Sequence, residues 1–189
     1  RISMGSQTFN DDVLKLIGRR HSSKDTIMAV ETAKKAGFDN ISLDLIYGLP
    51  DADIIKDLEI ITSLDIRHIS TYGLKIEEGS HFYNYPPKNI PDDDMQADMY
   101  LEINSFLENK GYYRYEISNF AQKGFESKHN LNYWNNEEYY GFGAAAHGYV
   151  DGIRYSNYET LEEYSKNPSG FAAKHRVSPQ EKLEEEIFL

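Results

Sequence analysis

The chain has 189 residues, 40% of them hydrophobic, and 20 Lys+Arg against 31 Asp+Glu leave a formal net charge of −11. That length suits one domain with a sizeable core, or one domain and part of a second, and no run approaches the roughly 20 apolar residues of a membrane span. The acidity argues against a nucleic-acid partner, and the lack of any cysteine removes disulfides, thiolate nucleophiles and self-contained iron–sulfur sites.

Taken in chain order, residues 1–6 predict a strand. Asn10 caps a short helix through Leu16, closed by Gly18. Ser22 or Ser23 caps a longer helix to Ala36, with Ile27, Val30 and Ala33 on one face and Gly37 as its stop. Ile41 to Tyr47 reads as a second strand, broken by Gly48-Leu49-Pro50, and residues 52–63 as a helix with Ile54, Leu58 and Ile61 on one face. Ile66 to Tyr72 is the third strand. Strand–helix–strand–helix–strand is a parallel α/β layout.

The character then changes. His81–Pro91 holds three prolines and reads as loop. Residues 92–109 predict an amphipathic helix with Met95, Met99, Ile103 and Phe106 on one stripe, ended by Gly111. Tyr112–Asn119 is expected to be a strand, Asn130–Tyr140 irregular, and Asp151-Gly152 the turn of a hairpin joining Gly148–Val150 to Ile153–Ser156. Residues 159–166 look helical and Asn167–Gly170 like a linker. Ser178-Pro179 with Glu181 opens a last helix by a capping box, leaving Leu183, Ile187 and Phe188 without an obvious partner. Because Arg1 falls inside a strand, the expectation is a piece of a longer protein, divided as 1–75, 76–170 and 171–189.

Side chains alternate along a strand, and a parallel strand buried on both faces reads as continuous Val, Ile and Leu. Here one face is repeatedly small or polar: Ser3, Gly5 and Gln7, then Ser42, Asp44 and Ile46, then His68, Ser70 and Tyr72. An unpartnered buried Asp44 would cost on the order of several kcal/mol. The repeated pattern therefore points to a lumen that holds a ligand near the carboxyl ends of the strands. Taken singly, Asp44 could cap a loop and Gln7 could be a turn residue.

Arg1-x-Ser3-x-Gly5-x-Gln7-Thr8-Phe9, Gly18-Arg19-Arg20-His21, Asp44-Leu45-Ile46-Tyr47-Gly48-Leu49-Pro50 and His68-Ile69-Ser70-x-Tyr72 stand in a specific order. They are followed by Tyr115-Glu116-Ile117-Ser118-Asn119-Phe120, His129-Asn130-Leu131-Asn132-Tyr133-Trp134, Gly141–His147 and Arg154-Tyr155-Ser156-Asn157. Jointly they resemble the radical SAM proteins related to oxygen-independent coproporphyrinogen III oxidase. The resemblance implies the second half of a partial (β/α) barrel, residues 1–75, followed by an α+β extension and the start of a helical domain. It implies S-adenosylmethionine in the lumen. Gln7 would bond its methionyl or ribose end, Arg19 its carboxylate and Asp44 its ribose or amino end. Gly73 would admit the adenine, and Ala145 or Ala146 would line the same side. Arg19 read without the family is a solvated helix-end cation. The family's CxxxCxxC motif, which holds a 4Fe-4S cluster, is absent, so those ligands are expected upstream of Arg1 and no catalytic residue is assigned to this chain.

Within the family, the oxidase branch carries a Gly-Met-Asp-His-Phe-like stretch where Tyr115–Phe120 stands here. The HNxxYW motif, His129 to Trp134, marks the HemW-type branch. That likeness implies haem bound through His129 and passed to an accepting protein, in the cytoplasm. A neutral imidazole is a common axial ligand of haem iron, and aromatic neighbours can cover the porphyrin. Without the family, His129 is equally well a helix cap and Trp134 a core residue. The other readings are the oxidase reaction itself, decarboxylation of coproporphyrinogen propionates, and an unrelated sugar- or nucleotide-binding α/β domain.

Overall fold

The computed structural model describes residues 1–188, which divide into two compact units, 1–126 and 127–188. The sequence divisions at 75/76 and 170/171 fall inside these units.

The first unit is built on a five-stranded sheet. Strands β1 (Ile2–Gln7), β2 (Ile41–Tyr47) and β3 (His68–Gly73) are parallel; β5 (Asn119–Ala121) runs antiparallel to β3, and β4 (Tyr113–Arg114) antiparallel to β5. The helices are α1 (Asp11–Leu16), α2 (Ser23–Lys35), α3 (Ile54–Ser63), the short α4 (His81–Asn84) and α5 (Asp93–Asn109). Local chemistry explains their starts. Asn10 accepts from the amides of Asp12 and Val13, Ser22 and Asp25 form a reciprocal capping box, and Asp53 and Asp92 cap α3 and α5. Gly18 and Gly37 follow α1 and α2 with φ of 73° and 87°.

One face of the sheet is apolar. Ile41, Leu43, Leu45, Ile69 and Phe120 pack with Val30 of α2, Leu58 and Ile61 of α3, and Ile103 and Leu107 of α5. The other face carries the polar side chains, because pairing aligns Ser3 with Ser42 and His68, and Gly5 with Asp44 and Ser70. The alternation expected of the strands is thus realised across three of them in register.

Several expectations are corrected. The strand expected over 112–119 is two short strands joined by a tight connection, because Tyr115 turns back to donate its amide to the carbonyl of Asn119. The proline-bearing loop holds the turn of helix α4, capped by Ser80. The third strand and third helix begin two residues later than expected, at His68 and Ile54. On α5 the buried pair is Ile103 and Leu107, while Met95 is 52% exposed.

The second unit has α6 (Lys128–Trp134), the sheet β6 (His147–Val150), β7 (Ile153–Ser156) and β8 (Ala173–Arg176), α7 (Leu161–Lys166) and α8 (Pro179–Phe188). The hairpin turns at Asp151-Gly152, both in the left-handed region (φ 52° and 70°). Where an irregular stretch was expected, Ser127 caps α6. Past the expected linker, β8 extends the hairpin by pairing with β7. Ser178 and Glu181 form the expected capping box of α8.

Candidate functional site

The polar face of the first unit is a connected network. Ser42 Oγ lies 2.7 Å from His68 Nδ1, whose Nε2 lies 2.7 Å from the Tyr115 hydroxyl. Ser70 donates to Asn119 Oδ1 at 2.6 Å. Ser3 donates to Asp44 Oδ1 at 3.3 Å. Burial pushes the Asp44 carboxyl above its ordinary range, an effect that the nearby Ser70 and Ser3 hydroxyls and Arg1 oppose. The same burial, with Arg1 nearby, pushes the His68 imidazole down to about 3, so it is neutral and serves as a hydrogen-bond relay.

Gln7 reaches this face through an irregularity. The pairing of β1 with β2 shifts register between Gly5 and Gln7, and Gln7 has a φ of 65°. Thr8 donates its amide to Ser6 O at 2.8 Å across it, the pattern of a γ-turn with a positive central φ, which is a strained conformation. Two hydrogen bonds from distant elements hold it. Ser6 Oγ donates to Asp44 O at 2.8 Å, and the amide of Phe9 donates to buried Asp57 on α3 at 2.8 Å. Burial also raises the Asp57 carboxyl above its usual range. A Cβ on Gly5 would collide with the Gln7 amide, so that glycine is what lets the side chain fold back over β1.

Gln7, Asp44 and Gly73 line one cavity of about 340 Å³ together with Ile46, Tyr72 and Lys75. Arg19 lines a neighbouring cavity of about 500 Å³, and the two share Ile46, Leu74 and Lys75 as walls. The loop carrying Arg19 is tied to the end of β1, His21 Nε2 standing 3.3 Å from Ser6 O. Arg19 is exposed, and its guanidinium has no hydrogen bond or ion pair among the described residues. The residues fit a nucleoside. Asp44 supplies a carboxylate for hydroxyl or amino donors, Gln7 an amide that donates and accepts, and Gly73 a stretch of cavity wall without a side chain, where a Cβ would crowd the Tyr47 hydroxyl at 3.0 Å. They do not fit an iron–sulfur cluster: the chain has no cysteine, and among the described residues no three His, Asp or Glu are grouped for a metal.

Ala146 and His129 belong to the second unit. Ala146 O accepts from the amide of Asn157, and Ala145 sits at φ 59° with its amide on Tyr158 O. His129 is exposed on the first turn of α6, with its ring edge-on to Tyr133 at 4.9 Å. It does not cap the helix, since Ser127 does. Trp134 is half-buried at the helix end. The ring nitrogens of His129 make no hydrogen bond among the described residues, which leaves the imidazole able to ligate. Sequence reasoning overlooked Ser6 and Asp57, and gave His21 no role of its own, although all three surround the Gln7 turn. Only the polar residues flanking Gln7 hinted at them.

The Radical SAM superfamily model matches residues 1–61. The chain is 44% identical over its whole length to "Heme chaperone HemW" of Bacillus subtilis and 45% identical to the protein of that name from Lactococcus lactis, covering 52% of each. It is 39% identical over 79% of its length to "Heme chaperone HemW" of Escherichia coli, covering 40% of that protein. The chain thus spans about half the length of the curated relatives it matches. Among solved structures, the coproporphyrinogen III oxidase HemN of Escherichia coli superposes with a TM-score of 0.81 at 18% identity, over 98% of this chain and 48% of that one, a likeness of fold.

Proposed function

The chain belongs to the HemW-like branch of the radical SAM superfamily, and from that premise we propose that it forms the cofactor-binding part and a haem-binding part of a cytoplasmic protein that binds haem and delivers it to an accepting protein. The observation that carries this reading is the likeness to the HemW proteins along the entire chain.

In this reading the 340 Å³ cavity takes S-adenosylmethionine, which when bound supplies a sulfonium nucleoside. Asp44 accepts from the ribose or amino group, Gln7 bonds the methionyl or ribose end, and Gly73 lets the adenine approach backbone. Arg19, with a planar fork of donors, takes the carboxylate from across the shared wall. The strained Gln7 turn and the raised Asp44 carboxyl are features of a site organised for a ligand at the expense of the empty protein. His129 ligates haem iron through a ring nitrogen, with Tyr133 against the imidazole edge. No step that needs an iron–sulfur cluster is assigned to this chain.

The test is a haem titration of the intact protein followed in the visible spectrum, beside its His129→Ala variant. The reading expects a spectral shift that the variant loses. An unchanged shift in the variant removes His129 from the site, and conversion of coproporphyrinogen III by the intact protein overturns haem delivery in favour of the oxidase reaction.

A further inference from the structure

One buried carboxylate of the first unit lines neither the cavity of Gln7 nor that of Arg19. Asp57 lies on α3, the helix whose Leu58 and Ile61 pack on the apolar face of the sheet. It is 4% exposed, and burial makes its charge costly, an effect that the Thr8 hydroxyl and the Phe9 amide oppose and Asp53 adds to. Its Oδ1 accepts from the amide of Phe9 at 2.8 Å, while its buried Oδ2 closes no hydrogen bond among the described residues. The helix itself does not require it, since Asp53 is the cap of α3. A buried carboxylate that makes this one bond, two residues beyond Gln7, calls for a reason outside the core.

The backbone from Ser6 to Asn10 supplies that reason. A non-glycine residue at φ 65°, as Gln7 is, persists only where its surroundings hold it. The bonds internal to the segment, from the Thr8 amide to Ser6 O and from the Asn10 amide to Thr8 Oγ1 at 3.1 Å, fix its shape but not its orientation. Before Gln7 the segment is anchored by Ser6 Oγ on Asp44 O, with His21 Nε2 3.3 Å from Ser6 O. After Gln7 the buried anchor is Asp57; the other tie, from Asn10 Nδ2 to Asp51 O at 3.4 Å, is exposed. We infer that Asp57 is a positioning residue for the cofactor cavity: its bond to the Phe9 amide holds the turn that aims the Gln7 amide inward, so cofactor affinity depends on a side chain that never touches the cofactor. This rests on the cofactor reading of that cavity and adds to it the group on α3 that sets its geometry.

The experiment measures S-adenosylmethionine affinity by calorimetry on the intact protein, with Tm recorded beside it. Asp57→Ala is expected to weaken binding about tenfold, the strength of one hydrogen bond made through Gln7. Asp57→Asn, which keeps an oxygen for the Phe9 amide, is expected to recover most of that loss. Asp57→Leu fills the space without an acceptor; it gives the same loss and serves where the alanine variant does not fold. In a Gln7→Ala background either substitution is expected to change the affinity no further, because the two residues act as one unit. Ile61→Ala on the same helix lowers Tm and leaves the affinity alone, which separates positioning from stability. Wild-type affinity in Asp57→Ala or Asp57→Leu, an undiminished loss in the Gln7→Ala background, or an equal loss in Ile61→Ala overturns the positioning role and leaves the cofactor site standing. A wild type that binds no S-adenosylmethionine overturns both.

Discussion

The two compact units are held together by different forces. The first has an apolar interior: fifteen buried side chains form one cluster between the sheet and helices α2, α3 and α5. In the second, Tyr149 is the one large apolar side chain that is buried among the described residues. Its order comes from directed hydrogen bonds. Asn157, 3% exposed, donates to Gly141 O and Gly143 O at 3.1 and 2.9 Å. The hydroxyls of Tyr155 and Tyr164 accept from the amides of Gly141 and Gly143, and Arg154 forks onto Glu185 at 3.1 and 2.7 Å. Burial is tolerant of direction and hydrogen bonds are not. The first unit can therefore give its other sheet face to polar chemistry, while the second spends its polar groups on shape.

The largest break in this contrast is expected from Leu43→Ala. Leu43 is fully buried at the centre of the cluster, and truncation is expected to cost about 3 kcal/mol, read as a lower denaturant midpoint for the first unit. Acid comes next. An unfolded histidine titrates near 6.5 and His68 in the fold near about 3, so between those values the unfolded chain binds the extra proton. Stability is whole above pH 6.5 and drains as pH falls. Down to pH 5 the loss is about 2 kcal/mol, and His68→Gln is expected to flatten that stretch of the stability–pH curve.

Asn157→Ala is expected to cost about 1–2 kcal/mol, and only in the second unit. Hydrogen exchange of the Gly141 and Gly143 amides should quicken while those of β1–β3 stay protected. An equal effect on both units would erase the contrast. The smallest effect is on Asp44. Because its carboxyl is raised by burial, the folded state holds a proton more readily than the unfolded one, and the charged form is a burden at pH 7. Asp44→Asn is expected to raise Tm slightly at neutral pH, by an amount that shrinks as pH falls through the carboxyl range. If the proposed cofactor site is right, calorimetry of the same variant shows weaker S-adenosylmethionine binding.

Much of the first unit was legible because its signals are local. Asn10, Ser22 and the glycines after α1 and α2 punctuate the helices, and the alternation of Ser42, Asp44, His68 and Ser70 with leucine and isoleucine marks two sheet faces. The site was legible in part. Gln7, Asp44 and Gly73 meet in one cavity, while Arg19 stands in the next one. The turn that aims Gln7 was not legible, since it depends on contacts with residues 37 and more positions away, the carbonyl of Asp44 and, through Phe9, the carboxylate of Asp57. The second unit was hardest to read because short elements such as α6 and β8 carry little periodicity, and tyrosine hydroxyls give no pattern along the chain.

What the amino-acid order determined alone was the alternation and punctuation of the strands and helices, and with them which side chains share a face, because backbone geometry sets a period of two or 3.6 within a few residues. Tertiary structure decided which faces became cavities, where Gln7 points and how far Asp44 and His68 are desolvated. Those properties depend on what packs against a residue from distant parts of the chain, and a neighbour's burial has no period to read.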